Sequence, residues 1–164
     1  MRTIWLAAAL AVLVAGCGEP PVDVSILDRS GYVQDQADVL DQSALESRLA
    51  DIGERGLDIV VLTYETEQAN CGEAFRAGLE FVQAWEADVA LVAVARPGDF
   101  TSTEEDRERC LGVRPVDDFA VSAGLREEIA EDLVPPIAAD NNWDEAFEVA
   151  IDRLAEELLD EESS

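Results

Sequence analysis

Four aspartates, Asp58, Asp88, Asp117 and Asp118, stand where apolar runs begin or end, and carboxylates placed in this way can gather around a hard cation. Calcium takes six to eight oxygen ligands in flexible arrangements, so it is the ion such a cluster would suit. The chain contains no histidine. That excludes a Ser-His-Asp or Cys-His triad and a histidine-ligated zinc, and leaves carboxylates, hydroxyls or an oxygen-held metal for any catalysis. The same aspartates also admit a plainer role: Asp117 or Asp118 can cap a helix, and Asp58 can sit in water at the start of a strand. In a chain with 37 Asp and Glu, carboxylates also cluster by chance.

Whether these residues meet depends on the elements that carry them. Ile59-Val60-Val61-Leu62 within Leu57 to Tyr64 is apolar at consecutive positions, the pattern of a strand covered on both faces, and Val89 to Ala95 repeats it. Between them Asn70 and Glu73 form a capping box ahead of an amphipathic helix with the stripe Phe75, Leu79, Val82, ending near Trp85. Strand, capped helix and strand in this span make a βαβ unit, expected to cross over right-handed with parallel strands. Asp58 and Asp88 then start neighbouring strands at one edge of the sheet. An antiparallel edge strand over Arg107 to Val113 would bring Gly112 and then Asp117-Asp118 to that same edge. Upstream, Asp41 or Ser43 caps a helix with Leu45, Leu49 and Ile52 on one side and Gly53 and Gly56 to end it. Downstream, a short helix after Asp117 or Asp118 is expected to stop at Gly124. A second carries Leu125, Ile129 and Leu133 and is broken by Pro135-Pro136. Asn142 and Glu145 repeat the capping box before a long stripe, Trp143, Phe147, Ala150, Ile151, Leu154 and Leu158. These elements predict an α/β fold: a three-layer α/β/α sandwich whose small mixed sheet, a βαβ unit plus an antiparallel edge strand, is flanked by helices.

The N-terminus carries a different signal. Ile4 to Gly16 is an apolar and small-residue run behind Arg2, and it closes on Val14-Ala15-Gly16-Cys17, which resembles the lipobox of bacterial lipoprotein signal peptides. The run is too short for a helix that must cross a bilayer core, which needs roughly 20 residues, and suits a secretory signal. The resemblance implies cleavage before Cys17 and acyl chains on its thiol and amine, so residues 1–16 are a signal peptide and Cys17 a lipid anchor. An ordinary secretory signal ending near a cysteine is the alternative. Two or three acyl chains hold a protein to a membrane lastingly. Residues 17–30, with Pro20-Pro21, form a linker, residues 31–159 one domain, and residues 160–164 an acidic tail. In an exported chain Cys71 and Cys110 are left as a pair and form a disulfide, closing a loop of roughly 40 residues and contributing about 4 kcal/mol. Two thiols that never meet are the other reading, and no CxxC motif is present.

Charge narrows the partners. The chain has 37 acids against 11 basic residues, all arginine, and a formal net charge of -26. That field repels phosphate backbones and excludes nucleic acid. Lysine-free, acid-rich composition suits a protein working in high salt, and equally a GC-rich genome.

The order of elements and several local phrases resemble the TPM domain, a family found in thylakoid-lumen and photosystem-repair proteins and in many bacterial membrane-anchored proteins. The phrases are Val33-x-Asp35-x-Ala37-x-Val39-Leu40, Asp58-Ile59-Val60-Val61-Leu62-Thr63, Asp88-Val89-Ala90-Leu91-Val92-Ala93-Val94-Ala95, and Leu133-Val134-Pro135 followed by Trp143-Asp144-Glu145-Ala146-Phe147. The likeness spans Tyr32 to Leu158 and implies Asp35 as a further metal ligand beside Asp88, Asp117 and Asp118. Two departures weaken that implication: Asp88 runs straight into Val89-Ala90 where the family has Asp-Asn-Gly, and the family's glycine pair is reduced to Gly112-Val113-Arg114. The expected function is therefore an envelope lipoprotein whose domain binds another membrane or envelope protein without catalysis, with Ca2+ as a candidate ligand. The competing expectation is a metal-dependent phosphatase acting on phosphomonoesters, because that activity is attributed to some TPM relatives. A third is diffuse cation holding by surface charge.

Overall fold

A computed structural model describes residues 28–118 and 120–161, so the lipobox, Cys17 and most of the linker lie outside the described residues. The expected α/β sandwich is present. Four strands form one mixed sheet in the order β1 (Val33–Asp35), β2 (Ile59–Glu65), β3 (Val89–Ala95), β4 (Arg109–Pro115). β1, β2 and β3 are parallel, with Ile59 opposite Val89, and β4 runs antiparallel to β3, with Val89 opposite Pro115.

Because consecutive residues of β2 and β3 are apolar, each strand feeds both faces. Ile59, Val61, Leu91 and Ala93 pack beneath α1 (Gln42–Gly53) and the C-terminal helices, while Val60, Leu62, Ala90 and Val92 pack beneath α2 (Cys71–Ala84). The two crossovers, β1–α1–β2 and β2–α2–β3, step the same way across the sheet with their helices on opposite faces. They therefore have opposite hands, so one of the two departs from the usual right-handed rule.

Local chemistry explains the helix ends. The Asp41 carboxylate accepts from Ala44 N–H at 3.2 Å at the start of α1, and Gly56, at φ 101°, takes the left-handed conformation that turns the chain into β2. Asn70 caps α2 by accepting from Glu73 N–H at 3.0 Å. Only half of that capping box forms, since the Glu73 carboxylate turns inward instead.

Several expectations need correction. The stripe of α2 is rotated: Phe75 is 43% exposed, and the buried residues are Ala74, Ala77, Gly78, Phe81 and Val82. Small residues win here because α2 lies close on β4. A Cβ on Gly78 would stand 2.8 Å from the Arg114 Cβ, and one on Gly112 would stand 3.3 Å from the Ala74 Cβ. The edge strand starts and ends two residues later than expected, and β1 is an additional strand. No helix begins at Asp117 or Asp118; Ala120 N–H donates to Asp117 O (3.0 Å), and Ser122 caps α3 (Ala123–Glu127), with Gly124 inside its first turn.

Pro135-Pro136 does not break the helix either. α3 passes into a π-helical stretch, Glu128–Leu133, and then α4 (Val134–Ala139). Val134 N–H donates to Ile129 O, five residues back, and the wider turn places both prolines in the first turn of α4, where no helical N–H is required of them. α5 (Trp143–Glu161) runs on to Glu161, into residues expected to fray, and Asn142 meets Glu145 side chain to side chain at 2.5 Å rather than through the backbone. Among the described residues, no helix is long and apolar enough to cross a membrane.

Candidate functional site

Candidate side chains gather at both ends of the sheet. One is where β2 and β3 begin and β4 finishes, and where the chain enters the fold at Arg29. The Arg29 guanidinium grips both carboxylate oxygens of Asp58 (2.8 and 2.7 Å) and donates to Trp85 O at 2.7 Å, with its plane over the Tyr32 and Trp85 rings. The bond to Asp58, more than its charge, raises the Arg29 pKa. Asp88 lies next to Asp58: its carboxylate accepts from Asp58 N–H at 2.8 Å, and its carbonyl accepts from Val116 N–H at 2.9 Å. Asp117 and Asp118 follow β4 at this same end, as the antiparallel strand requires. Asp118 is held by Arg114 (2.8 Å) and Arg126 (3.3 Å). A cleft of about 360 Å³, lined by Leu57, Asp88, Val89 and Leu158 among others, opens here.

Asp35 is not part of this group. It ends β1 opposite Thr63, which is level with Ala93, four residues up the sheet from Asp88's neighbour Val89, or about 13 Å at 3.3 Å per residue. There it staples a loop. One carboxylate oxygen accepts from Val39 and Leu40 N–H (2.9 Å each), and the other accepts from the Thr63 hydroxyl. The phrase Val33-x-Asp35-x-Ala37-x-Val39-Leu40 thus spells a strand and the turn that wraps its own carboxylate, with Asp38 in the left-handed region at φ 55°.

Calcium takes six to eight oxygen ligands, and the expected carboxylates have partners of their own. Asp35 stands at the other end, Asp118 is engaged by two guanidiniums, Asp58 is gripped by Arg29, and the Asp88 carboxylate accepts from Asp58 N–H. Among the described residues, no three Asp, Glu or Cys side chains are grouped to hold a metal ion.

The far end, where β2 and β3 finish and β4 begins, carries features that the motif search missed. Cys71, the first residue of α2, is bonded to Cys110 of β4 in the expected disulfide. Clefts of about 510 and 340 Å³ flank it, and Arg107 and Arg109 line both. These arginines bind neutral acceptors. Arg107 donates to Ser102 O (2.8 Å) and Ala139 O (2.9 Å), and Arg109 to Asn141 Oδ1 (2.6 Å) and Ala138 O (2.5 Å). They satisfy the last carbonyls of α4. Burial lowers the Arg109 pKa, and the charge of Arg107 adds to it against the pull of Asp99. The available signal was a run of arginines, Arg96, Arg107, Arg109 and Arg114, in a chain otherwise dominated by acids.

Under α2 lies a closed polar group. Tyr64 OH donates to Glu73 Oε1 (2.8 Å), and Arg76 grips both oxygens of Glu73 at 2.6 and 2.9 Å. Arg76 holds the Glu73 pKa below the usual carboxylate range, and burial drives the Tyr64 pKa far up. Both residues are buried, at 8% and 1% exposure, so the group fastens α2 to β2 and offers nothing to a substrate.

Compared with protein-family models and with curated proteins, the chain matches none of them.

Proposed function

We propose that the chain is an envelope lipoprotein, anchored through Cys17, whose TPM-like α/β domain is a non-enzymatic binding module for another membrane or envelope protein. One observation carries this reading: Arg29 pins the incoming chain to the end of the sheet opposite the two arginine-lined clefts. A lipid at Cys17 would hold the Asp58 and Asp88 end toward the bilayer. Ten residues lie between Cys17 and Asp28, a stretch that reaches at most about 40 Å, so the clefted end would face outward within easy range of a neighbouring protein. Of the carboxylates that a metal-dependent phosphatase would need, Asp35 staples a loop and Asp58 and Asp118 are ion-pair partners of arginines, which favours binding over catalysis.

The reading is tested by capture from detergent-solubilised membranes with the lipidated chain as bait. A specific protein is expected, and its yield should fall when Arg107 and Gln68, which line the larger cleft, are replaced, but not when Glu86, the exposed residue after Trp85 at the entry end, is. Recovery of nothing above background, or turnover of a phosphomonoester by the purified chain with Mg2+, Mn2+ or Ca2+, would overturn it.

A further inference from the structure

The disulfide has two unlike halves. Cys71 is exposed and is the first residue of a 14-residue helix, whereas Cys110 is half-buried and packs against the apolar layer beneath α2. First-turn amides have no acceptor within a helix, and their partial positive charge favours an anion. A thiolate at Cys71 would stand at that position. Arg107 and Arg109, which form no carboxylate ion pair among the described residues, line the same two clefts as the disulfide. Glu67, Glu105 and Glu108 border these clefts and oppose the effect, while Glu73 is already matched by Arg76. The helix terminus acts on Cys71 directly, and exposed cysteines so placed have thiol pKa values well below that of a free thiol.

We propose that Cys71–Cys110 is an exchangeable disulfide, a site of mixed-disulfide formation with external thiols, rather than a fixed staple. An incoming thiolate attacks the exposed Cys71 sulfur. The Cys71–Cys110 bond breaks, its electron pair leaves on Cys110, and that half-buried sulfur takes a proton from water. A second thiol then attacks the external sulfur of the adduct, releasing Cys71 as a thiolate at the helix terminus and an oxidised disulfide of the two thiols. Two thiols are consumed and one disulfide is made for each protein disulfide opened. Stabilising the Cys71 thiolate both speeds its departure and favours the reduced form. The fold survives the opening, because β4 keeps its seven-residue pairing with β3 and its close contact with α2 at Gly112 and Gly78.

The test uses the oxidised full chain, without denaturant, in mixtures of reduced and oxidised glutathione, with free thiols trapped by a mass-tagged maleimide. Both thiols should become trappable while the helical signal is unchanged, and glutathione should be found on the Cys71 peptide. Thiols that appear only together with unfolding would overturn the proposal. Independently, Cys110→Ala should leave Cys71 with an alkylation midpoint below the value of about 8.5 for a free thiol. Adding Arg107→Ala and Arg109→Ala should raise that midpoint. A midpoint at or above the free-thiol value would equally overturn it.

Discussion

Replacing Asp35 with alanine separates a structural staple from a metal ligand. The carboxylate accepts from two backbone N–H groups at 2.9 Å and from the Thr63 hydroxyl. Hydrogen bonds to a charged group contribute about 1.5–3 kcal/mol when desolvated, and the lower end of that range suits a half-buried site. Allowing water to recover part of the loss, Asp35→Ala should cost about 3 kcal/mol. At about 2–4 °C per kcal/mol for a domain of this size, the melting temperature should fall by about 6–12 °C. Asp35→Asn keeps an oxygen for the two N–H groups and offers its amide to the Thr63 oxygen, so its cost should be nearer 1 kcal/mol, about one hydrogen bond. Thermal unfolding followed by circular dichroism, with chelator and again with Ca2+, reads both variants. The staple requires the same loss in both conditions. A loss confined to the Ca2+ sample, or an Asp35→Ala variant as stable as the parent, would refute it.

Three other outcomes follow from the same contacts. Gly78→Ala should destabilise the domain although alanine is the better helix former by about 1 kcal/mol, because overpacking against the Arg114 Cβ costs about 1–3 kcal/mol; urea unfolding that showed a more stable variant would mean that α2 stands farther from β4. Since the folded-state pKa of Glu73 is lowered, its stabilisation is complete above the unfolded carboxylate value of about 4.3 and disappears as pH falls through the folded value. Urea midpoints measured from pH 7 to pH 3 should therefore fall less steeply for Glu73→Gln than for the parent. Arg29→Ala removes a partly exposed ion pair and two ring contacts, together about 1–2 kcal/mol, and limited proteolysis should then cut faster just before Tyr32.

Much of this fold is written in consecutive apolar runs. β3 begins and ends where Val89 to Ala95 placed it, and β2 lies within two residues of its expected bounds, because only a doubly covered strand tolerates such sequences. α2 was legible as a helix but not in its orientation. Phe75, Leu79 and Val82 look like a core stripe, yet the close approach to β4 brings Ala74, Ala77 and Gly78 inside beside Val82; Leu79 packs partly buried against that layer, and Phe75 is left outside beneath the Arg114 guanidinium, 4.3 Å from its ring. β1 escaped notice because three residues show no period. Of the candidate site, the shared edge of Asp58, Asp88, Asp117 and Asp118 followed from strand direction alone. What could not be read was the set of arginines that occupies Asp58 and Asp118: Arg29 lies 29 residues from Asp58, and no local pattern joins them. Asp35 was displaced for a related reason, since two of its partners are backbone amides of its own turn, which carry no side-chain signal, and the third is the hydroxyl of Thr63, 28 residues away.

The tethered orientation stands or falls with the N-terminus. Intact-mass and peptide mass spectrometry of the chain extracted from membranes of the native cell reads it directly. The expected product starts at Cys17 and carries a diacylglycerol on the thiol, with a further acyl chain on the amine. A leader still attached through Met1, or an unmodified Cys17, would contradict the anchoring and leave the clefted end with no fixed direction.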